Sequence, residues 1–287
     1  MTLSSTLPES RHGFENAPTR SLEVDGTRFA YRGLGPRHGI PLVMLNHWGA
    51  VLDNFDPRIV DGLASSHRVI AIDYRGIGGS GGKAPVSVAE MAQDTIALIR
   101  AMGLGRIDLL GFSLGGFVAQ QVALDAPDLV RRLILTGSGP AGGRGIDRVG
   151  RVSWPLILKG LLTRRDPKYY LFFTASARSR QAANDFLQRL QERRNDRDRP
   201  ASPTAFLRQL KAITAWGRQP PQDLGQIPIP VLVANGDSDI MVPTPNRGDL
   251  AHRLPNATLV IYDDAGHGGI FQYHTEFVRD ALASLDN

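Results

Sequence analysis

The sequence predicts an α/β chain, a mostly parallel, doubly wound sheet interrupted once by a helical cap insertion. Three observations carry that expectation. Over the first half of the chain, short apolar runs of strand length alternate with segments of helical periodicity. Between 138 and 221 the strand-like runs vanish, and the text becomes rich in Arg, Gln, Leu and aromatic residues. Beyond 221 the alternation resumes.

The elements follow in order. Leu22 to Val24 and Arg28 to Tyr31 flank Asp25-Gly26, a pair that accepts the positive φ values of a tight hairpin turn. Ile40 to Asn46 is a continuous apolar strand, Asp53 to Ala64 a short helix, and Arg68 to Asp73 a second apolar strand. A glycine-rich loop comes next. Ser87-Val88-Ala89-Glu90 has the form of a capping box, opening a helix that runs to about Met102. Ile107 to Leu110 is a strand, and Leu114 to Ala126 a helix stopped by Pro127. Leu133 to Thr136 is the sixth strand. After the insertion come the strand Pro230 to Ala234, the helix Asn246 to Leu254, the strand Thr258 to Tyr262 and the closing helix Phe271 to Leu285. Apolar strands joined by helical crossovers pair in parallel and are covered on both faces. An insertion after the sixth strand would lie over the carboxyl ends of the strands, where open α/β sheets bind ligands. The expected organisation is a flexible tail at 1–20, a core at 21–137 and 222–287, and a helical cap at 138–221.

Composition narrows the function. Of 287 residues, 42% are hydrophobic and 21% charged, the balance of a globular chain. No apolar run approaches the ~20 residues that span a bilayer, so no membrane partner is expected. Cysteine is absent, which excludes disulfides, thiolate catalysis and cysteine-ligated metals, and fits a cytoplasmic location. Met1 to Arg20 is polar and carries no signal-like apolar stretch. The net charge of +5 raises nucleic acid as a partner. The densest basic stretch, Arg189 to Arg199, also holds Glu192, Asp196 and Asp198, the pattern of a solvated helix face laced with ion pairs, so no nucleic acid is expected.

The strongest chemical signal is Gly111-Phe112-Ser113-Leu114-Gly115, between a strand and a helix. A serine hydroxyl is a weak nucleophile and must project clear of the backbone to meet a base. Small flanking residues permit the tight turn that does this, and the turn offers the N–H after the serine to a developing oxyanion. The base expected is His267, in a glycine-flanked loop after the last strand. His252 and His274, the other histidines after the serine, fall in helices. Asp237 and Asp239, in Gly236-Asp237-Ser238-Asp239 after the strand Val231 to Ala234, compete to orient the imidazole. Asp263 and Asp264 read as turn formers.

Over nearly its whole length the chain resembles the α/β-hydrolase superfamily, and within it the cofactor-free haloperoxidase, esterase and lactonase group. The resemblance implies Ser113 as nucleophile and His267 as base. It favours Asp239 over Asp237, since the acid is the third residue after glycine in a Gly-x-x-Asp motif followed by Val-Pro. It also implies an oxyanion-hole N–H after the third strand. There His47-Trp48 stands where the family usually carries His-Gly, so Trp48 is the first choice of donor and Gly49 the second, with Leu114 supplying the other N–H. His47 itself is expected to be structural.

Gly76-Ile77-Gly78-Gly79-Ser80-Gly81 matches a dinucleotide-binding fingerprint, but the next helix starts only near Ser87 and the acidic residues fall inside it. The loop is better read as structural, and no cofactor is expected. No metal is expected either, since His267 and His274 have no carboxylates at ligand spacing. The insertion holds Trp154, Tyr169, Tyr170, Phe172, Phe173, Phe186, Phe206 and Trp216, some of which would line an apolar pocket for a small-molecule substrate. The function expected is hydrolysis of an ester-like bond, a carboxylester or lactone. C–C bond hydrolysis and perhydrolysis would use the same residues, and a slow-turnover ligand receptor is the alternative of another class. Oligomeric state is left open.

Overall fold

The computed structural model describes residues 13–286. Eight strands form one sheet in the order β1-β2-β4-β3-β5-β6-β7-β8. They are β1 (Arg20–Val24), β2 (Thr27–Leu34), β3 (Leu42–Leu45), β4 (Val69–Ile72), β5 (Ile107–Phe112), β6 (Val130–Thr136), β7 (Val231–Gly236) and β8 (Ala257–Tyr262). β1 and β2 are the antiparallel hairpin, turning through Asp25 (φ 49°) and Gly26 (φ 72°). β2 runs antiparallel to β4, and every later pairing is parallel. The central strands β3, β4 and β5 are buried along their whole length, which is why they read as unbroken apolar runs rather than alternating ones.

The core helices are α1 (Pro57–Ala64), α2 (Val88–Ala101), α3 (Leu114–Asp125), α8 (Pro245–Arg253), α9 (Gly269–Gln272) and α10 (His274–Asp286). α1 packs against α10, and α2 against α3. After β3 the chain passes outward to β4 and then returns to β5 on the other side of β3. Adjacent strands whose connections diverge leave a crevice at their carboxyl ends. The loops after β3 and β5 flank it.

Four helices fill the insertion: α4 (Val149–Thr163), α5 (Lys168–Leu171), α6 (Ala177–Arg189) and α7 (Pro203–Arg218). They join the body through buried ion pairs. Arg189 Nη2 lies 2.6 Å from Asp56 Oδ2 and Arg32 Nη2 3.2 Å from Asp198 Oδ2, while Arg32 Nη1, 2.8 Å from Asp53 Oδ1, is held from within the body.

Several expectations need correction. The tail was expected to be loose as far as Arg20, but from Gly13 onward it is packed. Phe14 is buried edge-on against Phe55, its N–H donates to Asp61, and Arg193 donates to the Glu15 and Ala17 carbonyls. Residues 1–12 of the expected tail lie outside the described residues. The helix expected from Asp53 begins at Pro57, because Asp56 caps it by accepting from the Arg58 N–H. The closing helix is broken at Tyr273 into α9 and α10. At Ser87 the cap forms, but Glu90 reaches the Val86 N–H instead of the Ser87 one. The basic stretch from Arg189 is not a solvated helix face. α6 ends at Arg189, and the Arg189 and Arg193 side chains turn inward to carboxylates. In the glycine-rich loop, Ser80 Oγ accepts from the Ala30 N–H and donates to the Asp73 carbonyl, which ties β2 to the end of β4.

Candidate active site

Ser113 stands between β5 and α3 with φ 57° and ψ −117°. A non-glycine residue there is strained and persists only when its surroundings hold it. The Ser113 N–H donates to the Thr136 carbonyl at 2.9 Å, and the Ser113 carbonyl accepts from the Gly116 N–H at 2.8 Å. The flanking glycines are a steric requirement. A Cβ on Gly111 would stand 2.2 Å from the Gly115 carbonyl oxygen, and one on Gly115 2.3 Å from that of Leu45.

Two further side chains converge on Ser113. His267, in the loop between β8 and α9, places Nε2 2.9 Å from Ser113 Oγ and Nδ1 2.7 Å from Asp239 Oδ2. All three residues are buried. A carboxylate only accepts, so the Asp239 contact puts the proton of neutral His267 on Nδ1 and leaves the Nε2 lone pair facing the serine hydroxyl. Asp239 is fixed in turn, since its Oδ1 accepts from the Met241 and Val242 N–H groups at 2.8 and 3.0 Å. It is Asp239 and not Asp237 that meets His267, and Asp237 instead accepts from the Ala265 N–H. Rings of Phe112 and Phe172 pack on the imidazole, and the Phe172 carbonyl accepts from the Gly268 N–H.

The loop after β3 supplies the other wall. The Gly49 N–H donates to Gln209 Oε1 at 2.8 Å and is thereby occupied. Among the described residues, the Trp48 and Leu114 N–H groups donate to no protein acceptor. Trp48 is pinned by stacking on Phe206, ring centroids 4.1 Å apart, and by donating Nε1–H to the Phe206 carbonyl. His47 Nδ1 donates to the Trp48 carbonyl, and its Nε2 has no partner among the described residues. Burial foremost, and the Lys168 charge next, push its pKa down from 6.5 to about 3. His47 is therefore a neutral neighbour of His267.

Ser113, His267, His47 and Trp48 open onto a chamber of about 280 Å³. The insertion lines it with Ile157, Lys168, Leu171, Phe172 and Phe206. Of the aromatics anticipated there, Phe172 and Phe206 do line it. Phe186 and Trp216 are packing residues, and Trp154 borders a second, outer chamber that shares Gly49, Asp166, Lys168 and Phe206 with the first. Gln209, Met241 and Lys168 escape sequence reasoning. Only Met241 had a signal, its place two residues after Asp239.

Fold and site together define a hydrolase-type α/β enzyme. The chain belongs to the alpha/beta hydrolase fold family, whose profile matches residues 40–272. It is 29% identical over 248 residues to a pimeloyl-[acyl-carrier protein] methyl ester esterase of Aliivibrio salmonicida, covering 84% of this chain and 90% of that one. It is 30% identical over 269 residues to a poly(3-hydroxyalkanoate) depolymerase of Ectopseudomonas oleovorans, covering 86% and 85%. An alpha/beta hydrolase fold protein from Chitinophaga pinensis, of known structure, superposes with a TM-score of 0.91 at 39% identity, covering 96% of this chain and 100% of that one.

Proposed function

We propose that this protein is a serine hydrolase that cleaves an ester-like bond, a carboxylester or lactone, of a small to medium hydrophobic substrate. The observation that carries the reading is the unbroken hydrogen-bond relay from Ser113 Oγ through His267 to Asp239. Ser113 Oγ attacks the substrate carbonyl carbon as its proton passes to His267 Nε2. Asp239 holds the imidazole in the tautomer that accepts this proton and stabilises the cation formed. The carbonyl oxygen, now an anion, takes hydrogen bonds from the Trp48 and Leu114 N–H groups. Collapse of the tetrahedral adduct expels the alkoxide, which takes the proton from His267 and leaves an acyl-Ser113. Water, entering where the alkoxide left, gives a proton to His267 as it attacks the acyl carbon, and His267 returns that proton to Ser113 Oγ as the acyl–oxygen bond breaks and the acid is freed. The neutrality of His47 matters here, because a second cation would oppose the charge on His267. The helices of 138–221 act as a cap over the core of 21–137 and 222–287, and the apolar lining selects acyl groups that fit about 280 Å³. The absence of cysteine supports a cytoplasmic location for the enzyme.

The test is turnover of short p-nitrophenyl esters and lactones together with labelling by a fluorophosphonate. Ser113→Ala should abolish both. Asp239→Asn should lower kcat about 10⁴-fold by favouring the wrong tautomer, while Asp237→Asn should stay within about tenfold of the parent. Labelling that survives Ser113→Ala removes the nucleophile assignment, and a reversed order of the two aspartates removes that of the acid.

A further inference from the structure

The surface next to the chamber carries a feature that ester hydrolysis does not use. On α4, Trp154, Leu158, Leu161 and Leu162 are 45%, 56%, 69% and 77% exposed. Their spacing of i, i+4, i+7 and i+8 puts them on one stripe of the helix. Leu207 on α7, which packs against α4, is 52% exposed. Single exposed leucines are ordinary, but a contiguous stripe marks a contact surface.

Between Asp147 and Asp166, which flank the helix and pair with Arg218 and Lys168, the charges along the stripe are of one sign. Residues 148–165 contain Arg148, Arg151, Lys159, Arg164 and Arg165, and no carboxylate. None of these five makes an ion pair with a carboxylate among the described residues. Lys159 and Arg165 instead lie over the Tyr170 and Tyr169 rings. An apolar stripe with Trp and Leu, bordered by unpaired cations, has the composition of a helix that lies in the plane of a membrane surface. A second copy of the chain fits less well. A two-fold contact sets a patch against itself, and here it would bring the five cations of each copy together, with Asp147 and Asp166 at the helix ends already paired to Arg218 and Lys168. The helix also connects to the site. Ile157 lines the chamber of Ser113, and Trp154 lines the outer one.

We infer that α4 is an interfacial docking element that seats the protein on an anionic phospholipid surface, with the mouth of the Ser113 chamber against the lipid. Anionic headgroups answer the five cations, and the acyl boundary receives Trp154, Leu158, Leu161 and Leu162. Attachment of this kind is peripheral and reversible, and no helix among the described residues is long and apolar enough to cross a membrane. It leads an apolar ester toward the chamber from the lipid phase. The inference does not depend on the assignment of Ser113.

The experiment is co-sedimentation of the Ser113→Ala protein with vesicles of phosphatidylcholine alone or with ~30% phosphatidylserine, so that lipid turnover plays no part. Binding should require phosphatidylserine and fall steeply as salt is raised toward ~0.5 M. Trp48 and Trp216 are buried, so a blue shift of tryptophan fluorescence on binding would report Trp154. Leu161→Ser/Leu162→Ser should weaken binding about tenfold or more, as should Arg151→Gln/Arg164→Gln through charge alone. The same pairs, in a chain with Ser113 intact, should leave turnover of a water-soluble ester unchanged. No binding to anionic vesicles, or binding that neither pair alters, overturns the proposal. So does a dimer by light scattering that Leu161→Ser/Leu162→Ser dissolves, which would assign the stripe to a second copy.

Discussion

At the scale of single residues, the site depends on which groups stay uncharged. His47 lies beside the imidazole that becomes a cation in the proposed mechanism, and its own pKa is pushed from 6.5 to about 3 by burial first and Lys168 second, against the Trp48 carbonyl. That shift has a consequence for stability. Between pH 6.5 and 3 the unfolded chain takes a proton at His47 that the native chain refuses. The contribution is therefore full above pH 6.5, and it is lost as pH falls toward 3, by about 1.4 kcal/mol per pH unit. Urea unfolding at pH 7 and pH 5 should show the parent losing about 2 kcal/mol more than His47→Gln over that interval, whatever the offset between them at pH 7. Parallel pH profiles would mean that native His47 takes up its proton between pH 7 and 5 as the unfolded chain does, and that burial does not keep it neutral over that interval.

At the scale of elements, the loop after β3 is held from the insertion. α7 presents Phe206 and Gln209, three residues apart and so on one face, to that loop. Phe206 stacks on Trp48 and accepts its indole N–H, and Gln209 occupies the Gly49 N–H. In the proposed mechanism Gln209 acts as a positioning residue. Gln209→Ala leaves the Gly49 N–H unsatisfied and the Trp48 peptide free to rotate away from the reacting carbonyl. It should lower kcat about tenfold or more with little change in KM, and Gln209→Glu, which keeps the acceptor, should restore most of the loss. An unchanged kcat in Gln209→Ala would leave the α7 contact as packing alone. This contact also shows what sequence can and cannot disclose. The turn around Ser113 is legible because its requirements are local: glycines where a Cβ would strike the backbone, a strand before and a helix behind. His267 and Asp239 are legible because loops at strand ends carry few residues with other work to do. Gln209 lies 160 positions from Gly49, on a helix where one glutamine resembles another. Boundaries failed where a single residue decides them, as Asp56 does for α1. The arginines near 193 misled because carboxylates that draw them inward come from another part of the chain.

At the scale of the whole molecule, Arg189 connects three distant segments. From the end of α6 it donates to both oxygens of Asp56, which caps α1, and to the carbonyl of Phe271, four residues beyond His267. The Asp56 side chain is fully buried and that of Arg189 is 11% exposed, so both charges have left water. Such a pair contributes little relative to an apolar replacement of both partners, yet breaking it strands one charge in a medium that cannot solvate it. Arg189→Met should therefore destabilise the protein by roughly 3 kcal/mol in urea unfolding. Asp56→Asn keeps the oxygen that caps α1 while removing the charge. If the penalty comes from a stranded carboxylate, Arg189→Met/Asp56→Asn should be more stable than Arg189→Met alone, even though it carries one substitution more. A double variant no more stable than the single one would place the loss in the Phe271 carbonyl and the packing of α6. The Phe271 contact predicts a second consequence in the same variants. Both lose that tie beside the His267 loop, so kcat should fall equally in the two while their stabilities differ.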